Sequence, residues 1–180
     1  MRCLFFWLAC FPLLLITPDT SAAVRPNVLF ITVDDMNRDS VGVYGCPIPE
    51  ITPHIDQLAS EGMRFEHAHV SIAICMPTRA VWMTGRYPHR SGALGFDRIN
   101  GDVPTLLETL HDAGYHTGIM AKVPHVVPSR GDAWDTVVPA SELGVGRDPD
   151  KYYDKSKKFF AEVSASNKPF FLMANSQDPH

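Results

Sequence analysis

The sequence predicts an α/β fold built on a largely parallel sheet, and three observations carry that expectation. Val28-Leu29-Phe30-Ile31-Thr32-Val33 and Phe170-Phe171-Leu172-Met173-Ala174 are apolar runs with almost no polar break. Such runs mark strands buried on both faces. The segments between them carry helix start and stop signals. Strands that alternate with helices pack as a sheet flanked by helices. At 180 residues the chain can bury the core of one domain.

The first residues are expected to stand outside that fold. Arg2 gives a positive start, an apolar run follows from Cys3 to Ile16, and Thr20-Ser21-Ala22-Ala23 are small. This is the layout of a secretory signal peptide over residues 1–23, leaving 24–180 as the mature domain. The run is short for a membrane span and Pro12 interrupts it, so no membrane association is expected after its removal. The protein is expected to be secreted or periplasmic. Its formal net charge of −4 is mild and gives no case for nucleic acid. Without the leader, Cys46 and Cys75 remain. Their simplest reading in an exported protein is one disulfide.

The elements follow in order. The first strand stops at Asp34-Asp35, and residues 36–50 read as loop because Gly42, Gly45, Pro47 and Pro49 punctuate them. Thr52-Pro53 opens a helix that ends near Gly62. Phe65 to Val70 reads as a short strand. A second helix runs from about Pro77 to Gly85, and a third from Pro104 through Leu110, closed by Gly114. Tyr115 to Ala121 is a strand ending at Lys122. Residues 123–150 read as an irregular excursion, Asp154 to Val163 as a helix, and 170–174 as the last strand.

Ligands of open α/β sheets bind outside the carboxyl ends of the strands. Asp34, Asp35, Lys122 and His180 all follow strand ends, so they are expected on one edge. Adjacent carboxylates suit a hard cation, although an Asp pair at a strand end also serves as a turn or cap. In Cys75-Met76-Pro77-Thr78-Arg79, Pro77 suits the first turn of a helix, placing Cys75 at its N-terminus with Arg79 one turn later. A nucleophile there, beside an Arg, can attack a sulfate or phosphate. A structural Cys with a surface Arg is the other reading of the same residues.

The segment resembles the sulfatase signature, Cys-x-Pro-x-Arg with Thr-Gly following, matched by Cys75, Pro77, Arg79, Thr84 and Gly85. The resemblance covers most of the mature chain. It extends through Arg25 to Asp35, Thr52-Pro53-His54-Ile55-Asp56, Gly114 to Lys122, and Pro169-Phe170-Phe171-Leu172 with Asp178-Pro179-His180. Gly146-Arg147 and Lys168 to His180 are similar to the heparan N-sulfatase branch. Two residues separate Lys122 from His125, as in iduronate sulfatases, where many arylsulfatases have one.

The resemblance implies an alkaline-phosphatase-like fold and a definite chemistry. Cys75 would be oxidised to Cα-formylglycine by a separate maturation enzyme. The hydrated aldehyde would attack sulfur with one hydroxyl, and the other would drive out sulfate, which an unmodified thiol cannot do. Asp34, Asp35 and the modified Cys75 would hold calcium. Arg79 and His125 would be catalytic, while Lys122 and His180 would bind a sulfated sugar or glycosaminoglycan. Sulfatases run far beyond this length, so residues 24–180 are expected to be the N-terminal portion of the catalytic domain, with an incomplete sheet and no activity alone. Two other expectations stand beside this one: a phosphonate or phosphate monoester hydrolase of the same superfamily, and a non-catalytic exported scaffold.

Overall fold

The computed structural model describes residues 25–126 and 133–180. The expected leader at 1–23 lies outside them. Four strands form one parallel sheet: β1 (Val28–Asp34), β2 (His116–Met120), β3 (Thr136–Val138) and β4 (Phe170–Pro179), in the order β1-β4-β2-β3. The helices are α1 (Pro53–Glu61), α2 (Cys75–Thr84), α3 (Pro88–Ser91), α4 (Leu106–Asp112) and α5 (Pro149–Ser166). No helix among the described residues is long and apolar enough to cross a membrane.

Alternation along the central strands explains why helices cover both faces. Phe171, Met173 and Ile119 pack with Ala80 and Met83 of α2 and Leu107 of α4. Leu172 and Met120, one residue out of phase, pack with Phe159 and Val163 of α5. Gly118 lets α5 approach, since a Cβ there would lie 2.4 Å from Phe159 Cε2. Residues Leu29, Ile31 and Val33 of β1 remain exposed, so this edge strand is apolar and uncovered on one face.

Local signals set the helix ends. Thr105 and Glu108 form a capping box at the start of α4. The Asp148 carboxylate accepts from the backbone N–H of Asp150 and Lys151, and Pro149 takes the first turn of α5. That cap starts the helix before Asp154, the start expected from its pattern.

Three expectations are corrected. Residues 65–70 form no strand. Glu66, His67 and His69 leave this segment without the regular alternation of a half-buried strand, and it pairs with neither outer strand, β1 or β3. The excursion at 123–150 holds a strand after all: Thr136–Val138 pairs with Gly118–Met120 of β2. Helix α2 starts at Cys75 and not near Pro77. Proline needs no N–H in the first turn, so the two preceding residues join the helix.

Candidate active site

The site lies at the carboxyl ends of β1, β2 and β4. On β1, Thr32 and Asp34 point inward and are buried, while Val33 and Asp35 point out. Asp35, Ala121 and Lys122 have φ of 57°, 54° and 49°. Left-handed backbone costs a non-glycine residue roughly 1–2 kcal/mol. Strain of this kind concentrates where side-chain placement serves a function.

Helix α2 contributes both ends of one turn. Cys75 is half-buried at its start and Arg79 is only 2% exposed. The Arg79 guanidinium donates to Cys75 O at 3.1 Å, Asp34 Oδ1 at 3.3 Å, Thr32 Oγ1 at 3.4 Å and Asn175 Oδ1 at 3.4 Å. It therefore locks the N-terminal turn of α2 onto the sheet through the backbone of Cys75. Both Cys46 and Cys75 are free thiols, so no disulfide joins them.

The ammonium of Lys122 donates to the other carboxylate oxygen, Asp34 Oδ2. Burial alone would raise the Asp34 pKa, but this hydrogen bond and the charges of Arg79 and Lys122 outweigh it and hold the carboxyl below its ordinary range. Two buried cations thus share one buried carboxylate, leaving one surplus positive charge. In a site of low dielectric that surplus attracts an anion.

His125 follows Lys122 by less than one turn, its N–H donating to Lys122 O at 2.9 Å. Burial, with Lys122 and Arg79 nearby, pushes its pKa down, so the ring is neutral near pH 7. Its Nδ1 is buried without a hydrogen bond among the described residues. His180 stands at the rim, with Nδ1 2.5 Å from Asp35 Oδ2 and 3.9 Å from Asp34 Oδ2. Arg147 reaches it from the other side, donating to Asp178 Oδ1 and, at 3.0 Å, to the carbonyl of His180. All the expected site residues therefore border one region.

The ligand set for calcium is only begun here. Calcium takes 6–8 oxygens. Asp34 and Asp35 supply two carboxylates, with Asp34 already engaged by two cations. Among the described residues no group of three or more His, Cys, Asp or Glu is placed to hold a metal ion. The pair fits a share of such a shell and not the whole.

Sequence reasoning missed Asn175, which is fully buried between β1 and β2. Its Oδ1 accepts from Thr32 Oγ1 at 2.7 Å, and its Nδ2 donates to Met120 O at 3.0 Å and Ala121 O at 3.3 Å. It satisfies the backbone where β2 turns left-handed. The available signal was its position, the first polar residue after the apolar run 170–174.

A family model for sulfatases matches residues 26–180. The N-acetylglucosamine-6-O-sulfatase of Bacteroides thetaiotaomicron is 29% identical over 181 residues, covering 91% of this chain and 32% of that protein. A solved structure of a protein with its substrate D-glucosamine-2-N,6-O-disulfate superposes with a TM-score of 0.73 at 29% identity, over 87% of this chain and 35% of that one. A member of the alkaline phosphatase superfamily from Vibrio parahaemolyticus shares the fold at 20% identity, with a TM-score of 0.65 over 87% of this chain and 41% of its own. The chain spans a third or less of the length of the curated relatives it matches.

Proposed function

The chain belongs to the sulfatase family, and on that premise we propose that it carries the nucleophile and anion-binding part of an enzyme releasing sulfate from a sulfated amino sugar. The observation that supports this reading most is the buried surplus of positive charge where Arg79 and Lys122 share Asp34. A sulfate group is the anion it would receive. The activity is proposed for the whole sulfatase that carries this sequence.

Each residue has a task in this reading. Cys75 is the residue that would be converted to Cα-formylglycine, whose hydrate would supply the attacking hydroxyl. Arg79 fixes that position through the Cys75 carbonyl and keeps the local potential positive. Lys122 contacts a sulfate oxygen as a point charge. Neutral His125, with its unpartnered Nδ1, exchanges a proton with the reacting group. His180 contacts the substrate at the rim. Asp34 and Asp35 would hold calcium with oxygens from outside the described residues, and the ion would neutralise sulfate charge.

The similar N-acetylglucosamine-6-O-sulfatase and the neighbour bound to a glucosamine disulfate support an amino sugar as substrate. That second ligand carries sulfate on nitrogen as well as oxygen, which keeps sulfamate cleavage as the second reading. The leader at 1–23 supports export, checked by an amino-terminus at residue 23 or 24 in the released protein.

The test offers the matured whole enzyme three compounds: 6-O-sulfated N-acetylglucosamine, N-sulfated glucosamine and the corresponding 6-phosphate. Release of sulfate from the first, lost in Cys75→Ala, is the expected result. Release from the second alone would move the activity to the sulfamate branch. A preference for the phosphate, or substantial turnover in Cys75→Ala, would overturn the reading.

A further inference from the structure

Helix α2 has a second chemically distinct place, along the flank that runs from Thr78 to its C-terminal end. A groove of about 330 Å³ lies there, lined by His69, Thr78, Val81, Trp82, Arg86 and Tyr87 among others. Cys75 opens the helix and Arg86 follows its last turn, so roughly 15 Å of helix axis separates them.

The groove is built for an anion with a flat partner. No carboxylate lines it. The backbone N–H of Arg86 donates to Thr84 Oγ1 at 3.2 Å, but its guanidinium has no hydrogen bond or ion pair among the described residues. The exposed Tyr87 ring stacks on His89 at 6.0 Å with 9° between planes, and His67 stacks on His69 at 6.5 Å and 4°. In a chain of net charge −4, a groove bearing Arg86 without an acid in its lining is a local positive site. A free guanidinium binds sulfate oxygens as a fork. A tyrosine ring already held by a stack offers an apolar face at low ordering cost.

We infer that this groove is a second subsite, binding an internal sulfated sugar of a glycan whose terminal unit lies at Cys75. The inference rests on the sulfated amino sugar proposed above. It makes a chain of several sugars, held at both ends of α2, the preferred ligand over a single sugar.

The test measures binding of three probes to the wild type, Arg86→Gln, Arg86→Lys and Tyr87→Ala. The probes are a hexasaccharide of 6-O-sulfated glucosamine units, its desulfated counterpart and 6-O-sulfated N-acetylglucosamine. The wild type should hold the sulfated hexasaccharide about tenfold tighter than the monosaccharide or the desulfated chain. Arg86→Gln and Tyr87→Ala should each lose about fivefold to tenfold toward the hexasaccharide alone. Arg86→Lys should lose less, and circular dichroism should be unchanged because both side chains are exposed. Equal hexasaccharide affinity in all four proteins, or equal binding of the desulfated chain, would overturn the subsite. Loss through Arg86 with no response to the monosaccharide would keep the subsite and discard the terminal amino sugar reading.

Discussion

Arg79 Nη1 stands 3.3 Å from Asp34 Oδ1, with both side chains 3% exposed. Lys122 completes the set on the other oxygen. A buried cation without its carboxylate is costly, and here one carboxylate serves two. Asp34→Asn should therefore lower stability by about 3–5 kcal/mol, read as a drop in the urea midpoint at unchanged slope. The same pair sets an acid limit. Because the folded-state pKa of Asp34 is depressed, its stabilisation is present above the ordinary value of 3.8 and is lost as pH falls through the lower folded value.

Asn175 tests whether the polar interior is a satisfied network. Asn175→Leu keeps the branched skeleton but removes the donor to Met120 O and Ala121 O and the acceptor for Thr32. Each buried group left unpaired costs about 1–3 kcal/mol. Thermal unfolding should fall by several degrees, and the Thr32, Ala121 and Lys122 amides should exchange faster.

Gly118 tests the fit of α5 against the sheet. A Cβ there meets Phe159 Cε2 at 2.4 Å and Leu172 Cδ1 at 3.1 Å. Gly118→Ala should cost about 1–3 kcal/mol by forcing the phenylalanine aside. Gly118→Ala with Phe159→Leu should recover part of that loss in the same denaturation experiment.

His125 should titrate below an ordinary histidine. Burial comes first, and the Lys122 and Arg79 charges add to it, while Asp34 opposes. The folded state then binds fewer protons than the unfolded one. Its contribution to stability is complete above about pH 6.5 and is lost as pH falls through the lower folded value. An NMR titration should show the His125 ring protonating below the ordinary histidine value of 6.5.

Much of this was legible in the sequence because the informative residues follow strong local rules. The apolar runs at 28–33 and 170–174 place two strands, and their ends place Asp34, Asp35 and His180 on the edge where Lys122 also emerges. Cys75 and Arg79 share a helical turn by spacing alone. Strand β3 was not legible, because three residues after a long loop carry no period. The strand expected at 65–70 is interrupted by Glu66, His67 and His69 and pairs with neither outer strand of the sheet. Asn175 was missed for a different reason. Its value lies in carbonyls of another strand, Met120 and Ala121, which become available only after β2 and β4 pair.

The central claim is that Cys75 is the precursor of the nucleophile, and mass spectrometry of the peptide spanning 75–79 tests it most directly. The protein would be co-produced with a formylglycine-generating enzyme and treated with an aldehyde-specific hydrazine before digestion. A labelled aldehyde at residue 75, absent when Cys75→Ala or Arg79→Ala removes part of the signature, is the expected result. An unmodified thiol at 75 under those conditions, or a disulfide to Cys46, would contradict it.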